Sequence, residues 1–259
     1  MSSTKRPLFL LLLVLTCSFL AKAQTSTMIM VRAKAKDAKF IGSSIGGAHI
    51  TIREAVTGRI LAEGLTEGST GNTTQIMSRP TNRYDELADS GTAGFRAELQ
   101  LDQPVFVTIE ARGPAHHRQS QVQASTQMWL LPGKDILGDG VVLEIPGFII
   151  DVLQPRTHQT LEIDQLENRL LRIKANMVMM CGCPITDGGL WNAREMEVSA
   201  IIRRNGEVVR TLPMAVTQTP NEFVGEMVVE QPGDYLITVY GFDARTANTG
   251  LATVPVKIR

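Results

Sequence analysis

The sequence predicts an all-β protein of two sandwiches behind a cleaved leader, on three observations. Apolar residues recur with period two almost throughout. No window sustains the i, i+3, i+4, i+7 spacing of a long amphipathic helix. Gly, Asp and Pro clusters cut the chain into short runs, as at Pro132-Gly133 and Gly138-Asp139-Gly140.

The first 23 residues read as an export signal, with a basic start at Lys5 and Arg6, an apolar run from Leu8 to Leu20, and Ala21-Lys22-Ala23 as a small-x-small cleavage site. A spanning helix needs roughly 20 predominantly apolar residues, and the run is shorter and holds Thr16, Cys17 and Ser18. A permanent anchor is therefore not expected. Thr16, where a lipidated cysteine needs a small residue before it, and the continuation of the apolar run argue against a lipoprotein at Cys17. Cleavage makes Gln24 the first residue and the destination secreted or periplasmic.

Of 26 basic residues the leader takes Lys5, Arg6 and Lys22, leaving 23 against 26 acidic ones. A slightly acidic chain without a basic cluster lacks the positive field that nucleic acid or anionic lipid requires. Aromatic residues are 5% of the chain, and the two tryptophans, Trp129 and Trp191, are far apart. No continuous stacking platform is visible.

In Met28 to Lys36, Ile29, Val31, Ala33 and Ala35 alternate with Met30, Arg32, Lys34 and Lys36, predicting a strand with one buried and one wet face. His49 to Arg53 alternates likewise, and Thr57-Gly58 turns the chain into Arg59 to Ala62. Further strands are expected at Phe95 to Leu101, Val105 to Ala111, Gln119 to Leu131 and Val141 to Val152. Gly64 to Gly94 is polar and reads as a long exposed loop, either a plain insertion or a partner-binding loop. It holds the sequon Asn72-Thr73-Thr74, which matters where the host glycosylates exported proteins. Leu153 to Thr160 interrupts the apolar pattern, so the expected domains are 24–158 and 159–259.

The second half supplies strands at Leu170 to Met180, Met196 to Ile202, Phe223 to Val229, Tyr235 to Tyr240 and Ala252 to Ile258. A hairpin turn falls at Asn205-Gly206, where both residues tolerate positive φ. Pro232-Gly233-Asp234-Tyr235-Leu236-Ile237-Thr238-Val239, with Phe242-Asp243 and Asn248-Thr249-Gly250, resembles the last hairpin of bacterial immunoglobulin-like domains. That resemblance implies a tyrosine packed at the sheet corner. Gly47 to Ile52, Thr57 to Ala62 and Gly64-Leu65-Thr66 are similar to the start of carboxypeptidase-regulatory-like (transthyretin-like) domains. Both resemblances imply architecture rather than activity.

Chemistry concentrates in Met177-Val178-Met179-Met180-Cys181-Gly182-Cys183-Pro184. Soft sulfur donors at Met177, Met179, Met180, Cys181 and Cys183 suit Cu(I). Met196 and any of His49, His116, His117 or His158 are candidate additions. Zinc is weaker, because one Cys-x-Cys supplies two of the four ligands a closed site needs. Met177 and Met179 also continue the alternation of Leu171, Ile173 and Ala175, which is what core filling requires. Cys181 and Cys183, the only cysteines left after cleavage, can alternatively form a disulfide closing a small ring, or act as exchangeable thiols. A thioredoxin-like site is not indicated, since Cys-x-x-Cys at a helix start is absent.

Gly188-Gly189-Leu190-Trp191 follows and can cover or expose the sulfurs; Trp191 equally suits an ordinary core position. His-Glu-x-x-His, Gly-x-Ser-x-Gly and a phosphate-cradling glycine loop are all absent. The expectation is thus a non-enzymatic binding or assembly module whose partner is another exported or envelope protein. The alternatives are a Cu(I) protein using residues 177–183 and a thiol-disulfide accessory.

Overall fold

The computed structural model describes residues 24–259. The predicted leader, 1–23, lies outside the described residues. Seven strands build a first sandwich: β1 (Thr25–Ala35), β2 (His49–Glu54), β3 (Ile60–Leu65), β4 (Phe95–Leu101), β5 (Val105–Gly113), β6 (Val122–Leu130) and β7 (Ile136–Ile145). One sheet has the order β4-β1-β7, with β7 parallel to β1, and the facing sheet runs β3-β2-β5-β6. Ile29, Val31, Leu99 and Ile145 from one layer meet Ile50, Ile52, Val107 and Ile109 from the other in a dry core.

Nine strands form the second sandwich: β8 (Phe148–Gln154), β9 (Gln159–Leu161), β10 (Leu170–Met179), β11 (Glu197–Arg204), β12 (Glu207–Pro213), β13 (Ala215–Val216), β14 (Glu222–Val228), β15 (Gly233–Asp243) and β16 (Asn248–Ile258). They pair as β13-β14-β10-β8 and β12-β11-β15-β16-β9. Read along the chain as A, A′, B, C, C′, D, E, F and G, the sheets carry D-E-B-A and C′-C-F-G, the immunoglobulin order, with β9 added beside β16. Asn205 and Gly206, at φ 50° and 95°, make the tight β11–β12 turn. Tyr235 is buried and donates its hydroxyl to the carbonyl of Gln231 at 2.7 Å, the tyrosine corner of immunoglobulin domains. Two residues on, where antibody domains carry a cysteine, fully buried Ile237 fills the core.

Two expectations change. The run Val141 to Val152 is not one strand: Pro146-Gly147, with Gly147 at φ 121°, breaks it into β7 and β8. β8 hydrogen-bonds to β10, so partners change ahead of Gln154-Pro155, not after it. The apolar run resumes at once in Phe148-Ile149-Ile150, and pattern alone cannot reveal a change of sheet. Second, Arg32 does not face water. The segment from Gly64 to Gly94 folds back over β1, and Arg32 is 5% exposed beneath it. Its guanidinium donates to the carbonyls of Thr92, Ala93 and Gly138, while the Asp139 carboxylate accepts from the amides of Leu87 and Ala88. The segment keeps a polar, exposed middle with anchored ends.

The two sandwiches share one continuous apolar core. The turn after β1 is gripped from the second sandwich: Trp191 Nε1 donates to the carbonyl of Asp37 at 2.7 Å, and Asn248 Nδ2 donates to that of Lys36 at 3.1 Å. Asn248 Oδ1 accepts from the linker amide of Gly147 at 2.8 Å. Asn248 is fully buried and satisfied on both sides of its amide.

Candidate functional site at the junction of the sandwiches

β10 ends at Met179 because Gly182, at φ 75°, reverses the chain. The Gly182 amide donates to the Met179 carbonyl at 2.7 Å, and the Met179 amide donates to that of Cys183 at 3.1 Å. This turn starts the β10–β11 connection, at the end of the second sandwich facing the first. Asn221 fastens the connection, accepting from the Ile185 amide at 2.7 Å on its side chain and donating its own amide to the Ile185 carbonyl. Further along, Asn192 Oδ1 accepts from the amides of Gly188 and Arg194, and Arg194 pairs with Asp187 through two contacts. The connection is thus braced by its own polar groups.

The sulfur-rich segment is divided among three environments. Met177 and Met179 point into the second core with Leu171, Ile173 and Ala175. Met177 reaches the opposite sheet, where a methyl group added at Gly241 would sit 2.4 Å from its Sδ. Met180 turns the other way and packs beside Gly147. Cys181 and Cys183 form a disulfide, with sulfurs 2.13 Å apart and Cα atoms 5.3 Å apart. Bonded to each other, they offer no thiolate to a soft metal. A three-residue ring restrains the unfolded chain little, about 1.5 kcal/mol on the chain-entropy relation, so this bridge is a minor staple.

The other sulfur and histidine candidates are dispersed. Met196 is buried just ahead of β11. His49 Nδ1 lies 3.4 Å from the Thr51 hydroxyl, and His117 Nδ1 lies 3.8 Å from an Asp151 oxygen. His116 covers Gly46, and His158 adopts φ 58° beside Pro255. Among the described residues no three His, Cys, Asp or Glu side chains are grouped to hold a cation.

Two depressions flank the junction. A cleft of about 450 Å³ has the Cys181–Cys183 turn as its floor, Leu190 and Trp191 as one wall, and Lys39, Ser44, Thr70 and Thr73 of the first sandwich as the other. Lys39 Nζ donates to Thr73 Oγ1 at 3.0 Å. Of Gly188-Gly189-Leu190-Trp191, Leu190 and Trp191 line this cleft beside the disulfide. The polar segment after β3 contributes through Thr70 and Thr73.

The second depression, about 530 Å³, is an apolar groove. Phe148, Met180, Tyr240, Phe242 and Leu251 line it from the second sandwich, and Gln119 to Val122 line it from the first. Leu251 is 56% exposed there. The Ser120 hydroxyl is buried without a protein partner. Tyr240 donates its hydroxyl to Glu197 at 2.5 Å, and that bond raises the Tyr240 pKa above the ordinary phenol value. The phenol therefore stays a neutral donor at physiological pH.

Lys39, Asn221, Asn248 and Ser120 were not legible as site residues. Lys39, Asn221 and Asn248 work through partners remote in sequence, as with Asn248 and Lys36, 212 positions apart, and Ser120 lines the groove only once the two sandwiches meet. Only Asn248-Thr249-Gly250 left a local sign, and it reads as a turn.

The architecture is that of an all-β protein of two packed sandwiches, the second immunoglobulin-like. No family model matches the chain, and no curated protein matches it. Among solved structures it is similar to an engineered protein at 15% identity, over 47% of this chain and 22% of that one, with a TM-score of 0.32. It is also similar to the fibronectin(III)-like modules of Clostridium thermocellum CbhA at 9% identity, over 90% and 94% of the two chains, TM-score 0.29. A titin A168169 structure aligns at 10% identity over 91% of each chain, TM-score 0.23. The immunoglobulin assignment rests on the strand order and the corner tyrosine of this chain.

Proposed function

We propose that the chain is an exported, non-enzymatic binding or assembly module, its first sandwich of the carboxypeptidase-regulatory-like kind, which takes an apolar segment of another exported protein into the junction groove. The observation that carries this reading is the groove itself, contributed by both sandwiches. An exposed apolar depression of this kind is a recurrent protein-docking feature. Its chemistry fits a polypeptide. Phe148, Phe242 and Leu251 suit apolar side chains, while the side-chain oxygens of Gln119 and Gln121, whose amide nitrogens already donate within the chain, can accept from main-chain N–H groups. The lining carries one acidic residue, Glu197, already engaged by Tyr240, which suits a neutral segment better than a strongly charged one.

The test is site-specific photo-crosslinking in the exporting host, with the reactive side chain at Leu251 or at Val56, an exposed apolar position remote from the groove. A discrete adduct from position 251 alone, abolished by Tyr240→Ala with unchanged thermal unfolding, is expected. Equal adducts from both positions would exclude the groove. Mass spectrometry of the exported protein is expected to find Gln24 at its N-terminus; retention of residues 1–23 would refute export by cleavage.

A further inference from the structure

The cleft on the other side of the junction carries a different chemistry. Its floor is the one disulfide among the described residues, and the opposite wall presents an ammonium group from the other sandwich. The turn is pressed on the first sandwich: a methyl group added at Gly182 would sit 2.7 Å from Ile45 Cγ2. Within the same connection, Trp191 makes the hydrogen bond that grips Asp37. Ring closure, cleft and grip therefore belong to one short stretch of chain.

We propose that Cys181–Cys183 is a thiol-exchange site for a small dithiol entering through this cleft, and that its reduction loosens the junction. This is independent of the groove reading. One thiolate of the dithiol attacks Sγ of Cys183, which at 5% exposure is more open than Cys181 at 1%. The S–S bond breaks, and Cys181 leaves as a thiolate that takes up a proton. The second thiol of the reagent then displaces Cys183 from the mixed disulfide, yielding a cyclic oxidised dithiol and two cysteine thiols. Two electrons pass to the protein. Lys39 lines the same cleft, where its ammonium group favours an entering thiolate over a thiol. Once reduced, the turn, whose Gly182 lies against Ile45 of the first sandwich, is left with the Gly182–Met179 and Met179–Cys183 main-chain bonds alone.

The experiment treats the full chain, isolated from an oxidising compartment, with dithiothreitol under native conditions. Alkylation mass shifts count thiols, and hydrogen exchange reports residues 36–41 and 186–192. Zero thiols at the start, two after treatment, unchanged far-ultraviolet circular dichroism and at least tenfold faster exchange in both segments are expected. Lys39→Met should slow reduction at least threefold with the same thermal midpoint. Cys181→Ser/Cys183→Ser should reproduce the fast exchange without reductant, although the titration of the unmodified protein decides the matter without it. Two free thiols at the start, or reduction only at the rate of global unfolding, would overturn the exchange site. Native reduction with unmoved exchange would overturn the coupling to the junction.

Discussion

Single side chains at the corners and the junction hold more than their own positions. Tyr235 ties the start of β15 to Gln231 through one buried hydroxyl. Tyr235→Phe keeps the ring and deletes that bond, which should cost about 1–2 kcal/mol because the Gln231 carbonyl loses its partner. Urea denaturation at constant slope measures it, and an unchanged midpoint would remove the corner from the stability of the domain. Asp243 is a second such residue, 1% exposed beside Arg245. Burial pushes its carboxyl upward, but hydrogen bonds from the backbone and guanidinium of Arg245 and from Thr246 outweigh it and hold the pKa below the ordinary carboxylate value. The folded state therefore binds the proton less readily than the unfolded chain. The resulting stability is complete above the unfolded carboxyl range and is lost as pH falls through the depressed folded value. Asp243→Asn should flatten the fall of the urea midpoint between pH 6 and pH 3; parallel curves for the two proteins would refute this.

Strands are set by alternation, and their neighbours by close approach. β2, β4, β5, β10 and β14 are legible from sequence because one face of each meets a core and the other meets water or polar side chains. The break between β7 and β8 carries a sign in Pro146-Gly147, but alternation does not show that the hydrogen-bonding partner changes there from β1 to β10. Where β16 crosses β8, Gly250 permits contact: an added methyl group would lie 2.7 Å from the Phe148 carbonyl oxygen. Gly250→Ala should destabilise by about 1–3 kcal/mol, as overpacking against main chain does. Gly91→Ala, whose nearest new contact is an ordinary 3.6 Å, serves as the neutral control. Equal denaturation midpoints for the two variants would mean that β8 and β16 are not so closely held.

At the scale of the molecule, the continuous core and the grip on the β1 turn make the sandwiches one cooperative unit. Calorimetry should find a single transition in the oxidised protein. Trp191→Phe combined with Asn248→Ala should split it in two, since the first loses a donor to Asp37 and the second leaves Gly147 and Lys36 unsatisfied. A single transition in the double variant would show that apolar contact alone couples the halves. The same coupling forms both depressions, because each draws walls from both sandwiches.

The sequence by itself determined the class of fold, the strands that alternate, the corner tyrosine and the proximity of two cysteines. These depend on residues within a few positions of one another, where period, turn chemistry and spacing act directly. Only the tertiary structure decided that Arg32 is covered, that β8 belongs with β10, and that Met177, Met180 and Cys181 face three different places. It also decided that Lys39 shares a cleft with the disulfide and that Trp191 and Asn248 grip the β1 turn. Those outcomes depend on which surfaces meet after the chain has closed on itself, and no local pattern encodes a contact between residues remote in sequence, such as Asn248 and Lys36, 212 positions apart.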